Sequence, residues 1–309
     1  MPIGGIVRFF LQAEYTLGVP TWKLTLEYDG TRYRGWQSQK NTEKTVQGAC
    51  LRAARELLGE DASVGGAGRT DAGVHALAQV AHLRARKDVP PADLVWGLNE
   101  RLPFDVNVLS AEPTPPAFHA RHDALSRTYL YRISRRRTAF DKRFVWWVRD
   151  KLDFPAMRQA AKTFQGRHDF SSFCENPEGQ ESTVVVVETS DLLDEMNELH
   201  YRIEASHFLW KMVRRVVGTL VQVGRGAIAL ERVPRLLVEK SAEPAGWTAP
   251  PSGLFLENVR YGASGAARSD RDRIPSRELR PTPSPARRPT AKAAPAARPP
   301  RRREDDRRR

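Results

Sequence analysis

Gly65-Gly66-Ala67-Gly68-Arg69-Thr70-Asp71-Ala72-Gly73-Val74-His75-Ala76 is the stretch from which the rest of the chain is read. It sets one acid, Asp71, and one guanidinium, Arg69, among four glycines and three alanines. Glycine accepts positive φ and lets a second backbone or a ligand come close. An acid on such a loop can therefore meet a substrate without bulky neighbours. A Gly-rich loop ahead of an apolar strand is also a common turn, and residue types alone leave both readings open. Two phosphate-binding patterns are excluded: no G-x-G-x-x-G opens a helix here, and the Gly-Lys-Ser/Thr of a phosphate loop is missing.

Working outward, the flanks alternate between strand and helix signals. Trp22, Leu24, Leu26 and Tyr28 alternate with Lys23, Thr25 and Glu27, the period of a half-buried strand. Thr45 is placed to cap a helix in which Val46, Cys50, Ala53 and Leu57 recur at helical spacing until Gly59. After the Asp71 loop, Gln79 to Leu83 is expected to return as a strand, and Ala92 to Arg101 to form a helix ended by Pro103. Glu112-Pro113-Thr114-Pro115-Pro116 is expected to be a linker, because proline supplies no amide to a sheet ladder.

Beyond it, Tyr129, Tyr131 and Ile133 share one strand face, with Tyr131 a core residue. His119 and His122 lack a third ligand at metal spacing, and His119 is expected to be a hydrogen-bonded structural histidine. Phe154, Met157, Ala161 and Phe164 mark another amphipathic helix. Val184–Val187 and Leu199–Ala205 are expected strands. The most helical stretch is Phe208 to Val223, with Gly224 at its C-cap; Leu209, Val213, Val216, Leu220 and Val223 share a stripe. Arg214 lies one residue off that stripe and needs a partner if it is buried. Arg215 is expected to be exposed. Leu254, Leu256 and Val259 form the last strand.

Composition bounds the partners. The 309 residues carry a net charge of +13, but residues 263–309 hold 15 Lys and Arg against 6 Asp and Glu, so nine of those charges lie in the C-terminal segment. This Arg/Pro/Ala/Ser-rich segment is expected to be disordered. The preceding residues are only mildly basic, so any site there for an anionic partner must come from local clustering. Cys50 and Cys174 make no metal-ligand spacing, and a reduced, cytoplasmic setting is expected. The apolar run Phe9-Phe10-Leu11 is too short for a signal peptide or a membrane span.

The run Gly68-Arg69-Thr70-Asp71-Ala72-Gly73-Val74-His75-Ala76 resembles the signature of the tRNA pseudouridine synthase A family. Four further stretches resemble that family in order: Glu27–Gln37, Phe118–Tyr131, His168–Phe173 and Phe208–Gly226. "PPSGLFLENVRY", ending at Tyr261, resembles its final strand. The resemblance covers roughly residues 21–262. It implies an α+β pseudouridine synthase fold with two sheet-and-helix domains around a central active-site cleft. The expected division is an extension at 1–20, an N-terminal domain at 21–116 carrying the Asp71 loop, a C-terminal domain at 117–262, and the tail 263–309.

The resemblance also implies roles: Asp71 as nucleophile, Arg214 as its ion-pair partner, Tyr129 stacking on the target base, and Arg69 holding the flipped geometry. It implies a homodimer that converts uridine to pseudouridine at positions 38, 39 and 40 of tRNA, without metal or cofactor. Three places depart from the family pattern. Lys211 stands where histidine is usual, Arg215 where asparagine is usual, and Glu178-Gly179-Gln180-Glu181 replaces a Cys-Gln, so loop 174–182 is expected to make altered contacts.

Isomerisation moves the C1′ bond from N1 to C5 with no net oxidation, so a carboxylate that holds one fragment while the base turns suffices in kind. The alternatives are a catalytically silent RNA-binding or RNA-folding protein on the same scaffold, and a glycoside hydrolase with paired carboxylates. No second acid sits in a comparable motif.

Overall fold

In a computed structural model, residues 18–262 are described, and they alternate strands with helices. The first half contains β1 (Thr21–Tyr28), α1 (Val46–Leu58), β2 (Ser63–Gly66), β3 (His75–Arg84), α2 (Pro91–Asn99) and β4 (Val106–Thr114). The second contains β5 (Ala124–Ser134), β6 (Trp146–Trp147), α3 (Phe154–Thr163), β7 (Gly166–Asp169), β8 (Val184–Glu195), β9 (Glu198–Ala205), α4 (Met212–Gly224), the short α5 (Arg232–Leu236) and α6 (Glu243–Gly246), and β10 (Leu254–Tyr261). The fold is α+β. Residues 1–17 and the segment 263–309, where an extension and a disordered tail are expected, lie outside the described residues.

The local signals hold where their physics is local. Thr45 caps α1 by accepting from the Gly48 amide, and Gly59, at φ 115°, ends it. Asp153 caps α3 through the Ala156 amide. The alternating residues of β1 are buried, from Trp22 to Tyr28, and pack with Cys50 and Ala54 of α1 and Leu98 of α2.

All strands of the described residues join one sheet in the order β4-β1-β3-β10-β5-β9-β8-β7, with β2 also on β3 and β6 on β5. The sheet runs without a break from the first half of the chain into the second. The join is made by β10, the last strand in sequence. It pairs antiparallel with β5 along its length, and parallel with only His75 and Ala76 of β3. Farther along, β3 pairs with β2 instead, from Gly66↔Ala81 to Ser63↔Arg84. The segment between β2 and β3 therefore leaves the sheet where its two halves meet.

Three expectations are corrected. The proline-rich stretch is strand rather than linker as far as Thr114: Pro113 lies opposite Trp22 in the β1–β4 ladder. β4 is the terminal strand of the sheet order, and an edge strand has a side on which no amide is required. Helix α4 starts at Met212 and not at Phe208, because Lys211 has a left-handed φ of 61°. Its end also differs. Gly224 stays helical, packed so tightly on α3 that a Cβ would meet the Met157 sulfur at 2.4 Å, and the left-handed residue is Gly226.

Candidate active site

The Asp71 loop hangs between β2 and β3 and is fixed from four sides. The Ala67 amide donates to Val80 O (2.7 Å), and the Val74 amide closes a turn onto Asp71 O (3.1 Å). From β3, Gln79 Nε2 donates to Gly68 O (3.0 Å). From β1, the Tyr28 hydroxyl shares a hydrogen bond with Thr70 Oγ1 (2.9 Å). From the loop after β1, the Trp36 amide donates to Thr70 O (3.1 Å). Close approach demands glycine at two points. Gly35, at φ +99°, would place a Cβ 2.6 Å from Thr70 O, and Gly66 would place one 2.4 Å from the Trp36 ring.

The fourth side comes from the second half of the chain. Arg127, on β5, is buried and donates from Nη2 to Ala67 O (2.9 Å) and Arg121 O (2.6 Å), and from Nη1 to Ser206 O (2.9 Å). It ties the loop to the segments before β5 and after β9.

Arg214 reaches Asp71 from the first turns of α4. Its Nη1 stands 3.1 Å from Asp71 Oδ2, and its Nε donates to Ala249 O at 2.7 Å. Both side chains keep some contact with solvent, 14% for Arg214 and 21% for Asp71. The guanidinium offers the carboxylate a directional, charge-assisted hydrogen bond, and Ala249 O fixes the arginine's own orientation.

Tyr129 is buried on β5, between Leu256 of β10 and Ile203 of β9. Its ring meets Phe208 edge-on at 4.9 Å. Burial, reinforced by the Asp71 carboxylate, pushes its phenol well above the usual range, so it stays protonated. Its hydroxyl has no hydrogen-bond partner among the described residues, which leaves it available to a ligand. Arg69 is exposed and lines the same cavity without an ion pair among the described residues.

These four residues line one cavity of about 400 Å³. Among its lining residues Asp71 is the only acid, set against Arg69, Arg121, Arg127, Lys211 and Arg214. One carboxylate among five cations suits an anionic substrate and leaves paired-carboxylate glycoside hydrolysis without its second acid. No group of three or more His, Cys, Asp or Glu among the described residues could hold a metal. His119 is accounted for locally, its Nδ1 accepting from the Arg121 and His122 amides. Both cysteines are free and buried, and no described helix is long and apolar enough to cross a membrane.

Arg215 overturns the expectation of an exposed side chain. It is more buried than Arg214, with 8% of its side chain accessible; it pairs with Glu175 and donates to Cys174 O at 2.7 Å. Lys211 Nζ takes the other carboxylate oxygen of Glu175 at 2.9 Å. Two of the three departures from the family pattern thus meet on one acid at the start of the third. Sequence reasoning also missed Arg127, Phe208 and Trp210 as site residues. For Arg127 the signal was present: it lies two residues before Tyr129, a position that shares its strand face.

An α+β fold with one acid in a basic cavity fits an enzyme acting on an anionic substrate, and the comparisons name the family. A sequence profile described as tRNA pseudouridine synthase matches residues 25–123 and 160–262. The tRNA pseudouridine synthase A of Rhodopseudomonas palustris is 42% identical over 246 residues, covering 79% of this chain and 100% of that protein. The tRNA pseudouridine synthase A 2 of Bacillus cereus is 36% identical over 242 residues, covering 78% of this chain and 99% of that protein. The tRNA pseudouridine synthase A of Acetivibrio thermocellus is 39% identical over 241 residues, covering 77% and 98%. The chain belongs to the tRNA pseudouridine synthase family, a family of isomerases.

Proposed function

We propose that this protein converts uridine to pseudouridine in the anticodon stem-loop of tRNA, at positions 38, 39 and 40, with Asp71 as nucleophile. The observation that carries the reading is the Asp71–Arg214 pair, in a cavity where Asp71 is the only acid among the lining residues and five of the others are Lys or Arg. The halves 21–116 and 117–262 act as two units that each supply part of the site, Asp71 and Arg69 from the first, Tyr129 and Arg214 from the second. A stacked base is out of reach of Asp71, so the uridine is extruded at a cost of roughly a few kcal/mol. Arg69 holds the backbone of the flipped nucleotide. Tyr129 supplies a ring face to the uracil and a protonated hydroxyl.

The carboxylate of Asp71 bonds to one carbon of the substrate, ribose C1′ or uracil C6, and holds that fragment while the N1–C1′ bond breaks. The base turns, C5 bonds to C1′, the proton leaves C5, N1 gains a proton, and the carboxylate is released. Atoms and electrons balance without a cofactor. Arg214, 3.1 Å from Asp71 Oδ2, aims the carboxylate before it attacks and receives it when it is released. A homodimer, as the family resemblance implies, in the reduced, cytoplasmic setting expected from Cys50 and Cys174 completes the reading.

The test is pseudouridine mapping on tRNA incubated with the purified protein and no cofactor, for wild type and for Asp71→Asn. The amide keeps the shape and loses the nucleophile, while phosphate contacts supply most RNA affinity. Expected are pseudouridine at 38–40 with wild type, and none with the variant at nearly unchanged tRNA binding. Turnover by Asp71→Asn within about tenfold of wild type refutes the nucleophile. Binding without turnover by wild type would establish the silent RNA-binding alternative.

A further inference from the structure

One large aromatic in the cavity is not used by the chemistry above. Trp210 lies in the segment between β9 and α4 and is 52% exposed, yet it lines the same cavity as Asp71 and Arg214. Its backbone is held rather than loose: Trp210 O accepts from the Glu175 amide at 2.9 Å. The next residue, Lys211, takes a left-handed φ of 61° that a side-chain-bearing residue rarely adopts, a strain that persists only where surrounding contacts hold it. Those contacts are visible. Glu175 takes Lys211 Nζ on one oxygen and Arg215 on the other, and the Lys211 ammonium sits 5.5 Å from the Trp210 ring centroid. From the same loop as Glu175, Gln180 also reaches the cavity wall. One carboxylate thereby locks the loop to the start of α4 and presents a half-exposed indole beside the basic cavity.

We infer that Trp210 is a stacking platform for the nucleobase adjacent to the target uridine, and that Glu175, through Lys211 and Arg215, positions it. This rests on the function proposed above. Extruding a uridine removes a stacking partner from each neighbouring base, and an aromatic ring in a basic groove replaces that contact for any base. Tyr129, buried and already packed on Phe208, serves the extruded base itself. The neighbouring base then falls to Trp210, the one exposed Phe, Tyr or Trp among the cavity's lining residues, in a cavity that Arg121 also lines and where its charge can attract a flanking phosphate.

The experiment is a cycle between protein and RNA. Wild type, Trp210→Ala and Trp210→Phe are assayed for KM and kcat on an anticodon stem-loop, and on the same RNA made abasic at the nucleotide 5′ or 3′ of the target. Trp210→Ala is expected to raise KM on the order of tenfold, the usual scale for losing one stacked base, with the loss in KM rather than kcat. Trp210→Phe, which keeps a ring face, should recover most of it. On one of the two abasic RNAs the Ala substitution should have no further effect. A KM loss that persists undiminished on both abasic RNAs, or no KM loss at all, overturns the platform and leaves the function standing. Absence of pseudouridine with wild type on every RNA refutes the function and the platform together.

Discussion

Two adjacent arginines separate the requirements of chemistry from those of folding. Arg214→Ala removes the guanidinium 3.1 Å from Asp71, and with it the charged donor that aims the carboxylate. Loss of one preorganised charge-bearing donor costs about 10²–10³ in turnover. Its cost in stability is smaller, about 1 kcal/mol, because both side chains keep solvent contact and water can replace the pair. Arg215→Ala is the opposite case. It removes a charged hydrogen bond to Cys174 O and a pair to Glu175 from a nearly closed environment. A hydrogen bond from a charged group contributes about 1.5–3 kcal/mol, and the packed stem adds roughly 0.8 kcal/mol for each buried methylene. Against this, Arg215 Nε is buried with no partner, and removing it relieves about 1–3 kcal/mol. The net is a loss of about 2–3 kcal/mol, or roughly 5–10 °C in Tm for a domain of this size. Arg215→Met, which keeps the stem and removes the unpartnered Nε, should recover about half of that loss.

The assay is thermal unfolding of the three variants, followed by single-turnover pseudouridine formation at a temperature where all are folded. Arg214→Ala should melt near wild type and turn over at least a hundredfold more slowly. Arg215→Ala should melt early and, once folded, turn over within about tenfold of wild type. If the two alanine variants fall together in both measurements, the separation drawn here is wrong. If Arg215→Ala melts like wild type, its burial contributes nothing.

Burial, with help from the Arg84 charge, lowers the pKa of His82 to about 4, and its Nδ1 accepts from the Ala120 amide. Its folded pKa lies below its ordinary 6.5, so its contribution to stability is complete above about pH 6.5 and is lost as pH falls toward 4. That contribution is about 3 kcal/mol; urea unfolding of His82→Asn, which keeps an acceptor, should show a flatter acid limb than wild type, and an identical limb refutes the assignment. Gly35→Ala should slow turnover and lower Tm together, since its Cβ meets Thr70 O at 2.6 Å in a left-handed backbone that alone costs about 1–2 kcal/mol; full activity would mean that the Asp71 loop tolerates displacement. A chain ending at Tyr261 should keep its saturating turnover and bind tRNA with a shallower dependence of log affinity on log salt, because each phosphate neutralised adds roughly 0.7–0.9 to that slope; equal slopes leave the nine excess charges of residues 263–309 without a role in RNA binding.

What could be read in the chain, and what could not, divides by distance along it. α1 was legible from its cap at Thr45 to its stop at Gly59, since caps and periodicity are decided within a few residues. The Asp71 loop stood out because two of its glycines, Gly65 and Gly66, are required by neighbours: a Cβ there would strike His82 and Trp36. That composition shows in the sequence even though its causes lie elsewhere in it.

The failures each needed a partner far away. Pro113 looks like a ladder breaker until β4 is known to be the edge strand. Arg215 looks like a surface charge until Glu175, forty residues earlier, is brought beneath it. The insertion of β10 beside His75 and Ala76 is set by topology and not by any local pattern. Arg215 is the instructive case, because its signal was present and was read in pieces. Lys211 and Arg215 add positive charge at the start of α4, one turn apart, and both depart from the family's residues. Two such charges one turn apart repel, and burying either without a counterion is costly, so the pair itself called for an acid from elsewhere in the chain. The loop that departs from the family at the same time is where that acid stands, with Glu175 at its head. Departures that are unrelated in sequence but complementary in charge are therefore better read together than one by one, and here they converge on the wall of the cavity that holds Asp71.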